Sequence, residues 1–136
     1  MNKTKAEVEL KLPVIPDIEL TATKTAEVIS KHMNLSEEKT GEISMAIIES
    51  CINAFEHSKT KEIYIHFIVS KDKLTIKVKD KGIGFDKSKV EIPNIENKIA
   101  SEHKRGWGLK LIQELMDTVE FQSNDEGTTV TMTKKR

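Results

Sequence analysis

Two stretches of this chain alternate polar and apolar side chains residue by residue, and that period of two constrains the fold more than any other feature. Ala6, Val8, Leu10 and Leu12 alternate with Glu7, Glu9 and Lys11, so residues 5–12 read as a half-buried strand. Leu74, Ile76 and Val78 alternate with Thr75, Lys77 and Lys79 in the same way. Such strands build a sheet that is wet on one face and dry on the other, and the dry face needs a cover.

Helical stripes supply the cover. Pro13 and Pro16 bracket a turn, after which Asp17 is the expected N-cap of a helix with Ile18, Ala22, Ala26 and Ile29 on one side, ending near Met33-Asn34. A second helix is expected from Ser36 to about His57, with Glu37 and Glu38 in its first turn, where carboxylates suit the positive end of the dipole. Gly41 inside it costs about 1 kcal/mol against alanine. Residues 62–69 are β-branched and aromatic, and the turn Lys71-Asp72-Lys73 joins them to the strand of Leu74–Val78 as a hairpin.

Residues 86–105 show no period and read as a lid. Leu109, Ile112, Leu115 and Met116 then mark a third helix, Val119 and Phe121 a strand, Asn124 to Gly127 a turn, and Thr128 to Thr133 a last strand. The order is β-α-α-β-β-lid-α-β-β. It predicts an α+β chain folded as one domain over residues 1–136, a two-layer sandwich of a mixed, mostly antiparallel sheet with helices on one face.

Bulk properties narrow the function. The 136 residues carry 22 basic and 22 acidic side chains, so no net charge draws the chain to nucleic acid. No apolar run approaches the ~20 residues of a membrane span, and the first residues lack the apolar core of a secretory signal. Cys51 is the single cysteine. These features predict a cytoplasmic protein without membrane contact.

Three local patterns carry chemistry. Glu49, Asn53 and His57 are spaced four apart with Glu56 beside them, an arc of roughly 100° on the second helix, opposite Ile43, Ile47, Cys51 and Ala54. That arc is either a solvated polar face or a carboxylate and amide placed to orient a water and ligate Mg²⁺. His57 reads as a structural or helix-end residue. Asp80-Lys81-Gly82-Ile83-Gly84 follows a strand, and is either a tight turn or a place where a ligand approaches the main chain, with Asp80 accepting from an exocyclic amine. Lys104-Arg105-Gly106-Trp107-Gly108-Leu109 leads into the third helix, as a lid hinge or an anion site with two cations beside it. No Gly-x-x-x-x-Gly-Lys-Ser/Thr and no dinucleotide-type Gly-x-Gly-x-x-Gly is present.

Taken in order, Glu49-Ser-Cys-Ile-Asn53-Ala54, Asp80-x-Gly82-x-Gly84 and Gly106-x-Gly108-Leu109 resemble the asparagine box and the two glycine boxes of the gyrase–chaperone–histidine-kinase (GHKL) ATPase superfamily. Gly127-Thr128-Thr129-Val130-Thr131-Met132 resembles its closing strands. The short form Glu-x-x-x-Asn-Ala-x-x-His is most similar to the bacterial anti-sigma-factor serine kinases. The resemblance implies a Bergerat-type site for ATP and Mg²⁺. It makes Glu49 the group that polarises the attacking hydroxyl and Asn53 the Mg²⁺ ligand. Asp80 becomes the adenine acceptor with Thr129 near it, Gly82 and Gly84 shape the base pocket, and Gly106, Gly108 and Leu109 line the phosphates with Lys104 or Arg105. It further implies phosphorylation of a serine on a STAS-type anti-anti-sigma protein, sequestration of a sigma factor, and a homodimer. A nucleotide-gated binding module without transfer and a histidine-kinase catalytic fragment are the competing readings. Against the second, only about forty residues precede the asparagine box, too few for a separate phosphoacceptor hairpin.

Overall fold

The computed structural model describes residues 6–57, 62–81, 108–124 and 127–136. Five strands form one sheet: β1 (Ala6–Pro13), β2 (Glu62–Val69), β3 (Lys73–Asp80), β4 (Thr118–Asn124) and β5 (Gly127–Lys135). Their order is β1-β2-β3-β5-β4, and every neighbouring pair is antiparallel. The expected α+β sandwich is present, with β5 inside the sheet and β4 at its edge.

The helices are α1 (Glu19–His32), α2 (Glu37–His57) and α3, which runs through residues 108–115. Ser36 caps α2 as its sequence implies: its Oγ accepts from the Lys39 amide at 3.1 Å and its carbonyl from the Thr40 amide at 2.9 Å. Gly41 is exposed and leaves α2 unbroken.

The start of α1 differs from expectation. Asp17 has φ 66°, a left-handed conformation that Asp tolerates, and so forms a turn before the helix rather than its cap. The N-cap position falls to Ile18, with no side-chain cap, and Glu19 supplies the acidic charge of the first turn.

One face of the sheet is dry. Phe67, Ile63 and Ile65 of β2, Leu74 and Ile76 of β3 and Met132 of β5 pack there with Ile43, Ile47 and Cys51 of α2 and Ile112 of α3, all essentially without solvent contact. Burial pushes the Cys51 thiol up to about 12, with the Glu19 carboxylate adding to the effect, so it stays a protonated core side chain. The other face is wet, and carries Lys11, Tyr64, His66, Lys77, Lys79, Gln122, Thr129 and Thr131. Among the described residues no helix is long and apolar enough to cross a membrane.

Candidate nucleotide site

The polar arc of α2 is solvated at Glu56 but not at Glu49 and Asn53. Asn53 is buried and Glu49 half-buried, because both look toward α3 rather than toward water. A β-carbon added at Gly108 would stand 2.8 Å from both Glu49 Oε1 and Asn53 Nδ2, and 3.3 Å from Asn53 Oδ1. A side chain at 108 would have to push the Glu49 and Asn53 side chains aside, so glycine there lets α3 lie against the pair as they stand. Three residues separated by up to 59 positions thus meet at one point. The Asn53 Nδ2 is buried with no hydrogen-bond partner among the described residues. Burying an unpaired amide costs about 1–3 kcal/mol, a deficit that a ligand oxygen would offset.

Asp80 ends β3 and is buried. Gly127 opens β5 with φ +141°, and a β-carbon there would overlap the Asp80 carbonyl oxygen. Only glycine allows β5 to begin so close to the end of β3. The register then sets Asp80 opposite Thr128. Ser50, Asn53 and Ala54 of α2, Val78, Asp80, Thr128 and Val130 of the sheet, Leu109 of α3 and Phe121 of β4 line one cleft. Its volume is about 10 Å³, room for at most one water.

Thr129 is not in this cleft. Alternation turns its side chain to the wet face, opposite Lys79 and Gln122, where it lines a separate concavity of about 710 Å³. The residue beside Asp80 is Thr128, whose Oγ1 lies 3.1 Å from Ser123 Oγ. Counting parity back from Met132 and Val130, both core residues, identifies Thr128 rather than Thr129. Ser50 is the other cleft residue that sequence reasoning passed over; it is buried, and its hydroxyl donates to Met132 Sδ at 3.2 Å. Gly82, Gly84, Lys104, Arg105, Gly106 and the lid lie outside the described residues. His57 ends α2.

The donor set fits ATP with Mg²⁺ at its α2 end. Asn53 offers a neutral hard oxygen, Glu49 a carboxylate, and Gly108 a main chain stripped of any side chain where a phosphate would need to approach. Among the described residues there is no cluster of three acidic, His or Cys side chains that would bind a metal alone.

Comparison with known proteins places the chain in a family. The family described as Histidine kinase-like ATPase domain matches residues 17–134. The serine-protein kinase RsbW of Bacillus pumilus is 34% identical over 98% of this chain and 88% of its own length. Its counterpart from Bacillus cereus strain Q1 is 32% identical over 93% of this chain and 83% of its own. In three dimensions, the RsbU and RsbW domains of Rv1364c from Mycobacterium tuberculosis superpose over 96% of this chain with a TM-score of 0.71 at 18% identity. This chain spans 33% of that longer one, and the likeness shows the fold alone. The match to the family over most of the chain, together with these relatives, establishes that the chain belongs to the histidine kinase-like ATPase domain family and is closely related to the RsbW-type serine kinases.

Proposed function

We propose that this protein is an ATP-dependent serine kinase of a partner-switching regulator, phosphorylating a STAS-type anti-anti-sigma protein and sequestering a sigma factor. The observation that carries the reading is the meeting of Glu49, Asn53 and Gly108 between α2 and α3, in a chain whose relatives are named serine-protein kinases. The reading includes one ATPase domain across the chain, a cytoplasmic setting and a homodimer.

Bound Mg²⁺-ATP would supply the phosphoryl group and neutralise its charge, leaving the protein mainly to position the reactants. Glu49 orients the acceptor serine hydroxyl and takes its proton. Asn53 would offer its Oδ1 to the metal and its Nδ2, unpaired among the described residues, to an oxygen of the ligand. Asp80 accepts from the adenine amine, with Thr128 in place of Thr129 as the neighbouring hydroxyl. Gly108 and Leu109, with Gly106 and one of Lys104 and Arg105, bound the phosphates, while Gly82 and Gly84 shape the base pocket.

Calorimetric titration tests this directly. The protein should bind ATP in a Mg²⁺-dependent manner, reject GTP, and transfer phosphate to a serine of a purified STAS-domain partner. Asp80→Asn should weaken ATP binding at least several-fold, since a neutral amide oxygen accepts more weakly than a carboxylate and its NH2 group replaces one of the two acceptor oxygens. Equal ATP affinity in that variant would sink the base pocket, and absence of nucleotide binding in the parent protein would sink the kinase reading.

A further inference from the structure

The alternation that buries Thr128, Val130 and Met132 also carries Lys134 to the dry face of β5. A charge there demands partners, and Lys134, only 5% exposed, has two. Its Nζ donates to Glu42 Oε1 on α2 at 2.9 Å and to the Leu115 carbonyl at 2.6 Å. Leu115 is the last helical residue of α3. Its carbonyl is one of those a helix end leaves without an internal partner, and a cation there also suits the negative end of the dipole.

The same three elements meet at both ends of the α2–α3 contact. Glu42, Glu49 and Asn53 occupy one strip of α2, spaced seven and four residues apart. Gly108, the first described residue of α3, abuts Glu49 and Asn53, while the far end of α3 is tied to Glu42 through Lys134. The chain after α3 is also joined to β5, by Asp117 N to the Thr133 carbonyl at 2.9 Å and by Lys135 N to Asp117 Oδ2 at 2.6 Å. Those bonds hold the connection. The Lys134 ammonium links the end of the helix itself to α2.

We propose that Lys134 is a positioning residue, a buried ammonium latch that fixes α3 along α2 and so holds Gly108 against Glu49 and Asn53. The proposal rests on reading that junction as the nucleotide site. Lys134 touches no reacting group. Its effect is on how tightly the site holds nucleotide, with the α3 register as the intermediary.

A test must separate latching from the general cost of a broken buried ion pair, which alone can be severe. Lys134→Met leaves the Leu115 carbonyl and the half-buried Glu42 carboxylate without their cation, and should lower both thermal stability and Mg²⁺-ATP affinity. The double variant Lys134→Met with Glu42→Met removes both charges at similar volume, and should recover the melting temperature. It still lacks the bond to Leu115. The expected result is therefore near-parental stability with about tenfold weaker Mg²⁺-ATP binding. Hydrogen exchange of the nucleotide-free double variant should be faster at amides 109–116 and unchanged in β2 and β3. Parental affinity and parental exchange in α3 would overturn the latch. Should the parent protein itself bind no nucleotide, the functional reading falls, and exchange at amides 109–116 still decides whether Lys134 holds the helix. Glu42→Gln, which retains a neutral acceptor, gives a milder variant on which the same exchange comparison is read.

Discussion

The two faces of this sheet are built by the same strands and share every backbone hydrogen bond, yet they differ in almost everything else. On the dry face Ile65, Phe67, Ile76, Val78, Val130 and Met132 are buried under the helices, and Asp80, Thr128 and Lys134 are buried with them. On the wet face, one residue away in each strand, stand Tyr64, His66, Lys77, Lys79, Thr129 and Thr131. There Lys81 lies 4.7 Å from the Tyr64 ring centroid and Lys11 3.0 Å from the Glu62 carboxylate. The wet face also holds the more spacious concavity, about 710 Å³ against about 10 Å³ for the cleft beside Asp80. Volume alone would choose the wet face, against the site proposed above. What distinguishes the dry-face cleft is chemistry: a buried carboxylate, a buried amide without a partner among the described residues, and beside them a glycine that lies directly against the Glu49 and Asn53 side chains.

The sharpest break of this comparison is in catalysis. Glu49→Ala should lower phosphoryl transfer by about 10²–10⁴-fold, the usual worth of a general base, while nucleotide affinity stays near that of the parent. Lys79→Ala on the wet face should leave transfer unchanged, and a large loss there in a kinase assay would move the site to the other side of the sheet.

Stability gives the next contrast, within β2. Phe67→Ala removes a fully buried ring and should cost about 3–5 kcal/mol in urea denaturation. His66→Ala, its immediate neighbour on the wet face, should cost clearly less, about 1 kcal/mol or below, because the imidazole is partly exposed and the Glu7 and Glu9 carboxylates at 3.4 and 3.8 Å are mostly in solvent.

A finer test sets two adjacent threonines against each other. Thr128→Val should weaken ATP binding by about fivefold, the order expected for one lost neutral hydrogen bond. Thr129→Val should have no effect on binding. The reverse outcome in a nucleotide titration would mean that the register of β5 against β3 is shifted by one.

The smallest effect concerns pH. The Cys51 thiol is raised from 9.0 to about 12 in the folded chain, so folding favours its protonated form. Its contribution is fully present below pH 9 and is lost as pH climbs from 9 toward 12. Comparison of urea midpoints across that range should show a shallower decline for Cys51→Ala than for the parent. Equal slopes would show that Cys51 has no part in alkaline destabilisation.

Much of this architecture was legible in the residues themselves. Alternation in β1 and β3, the β-branched run of β2, the Ser36 cap and the helical stripes each report a local preference, and local preferences survive folding when the tertiary structure agrees with them. The α2 spacing of Glu49 and Asn53 was legible for the same reason, since helical geometry alone puts residues four apart on one side. Asp17 was misread because its side chain suits both a helix cap and a left-handed turn, and only the path from Pro16 into α1 selects between them.

The sequence by itself therefore determined the elements, their periods and the company of residue types that an ATP site requires. Only the tertiary structure decided that β5 inserts between β3 and β4, that Thr128 and not Thr129 stands beside Asp80, and that Gly108 closes on Glu49 and Asn53. It also decided that Lys134, which composition would leave in water, is buried against Glu42 and the end of α3. The reason is physical. Periodicity is a property of one segment, whereas register, strand order and the approach of two helices are set by contacts between segments far apart in the chain, and no single segment encodes them.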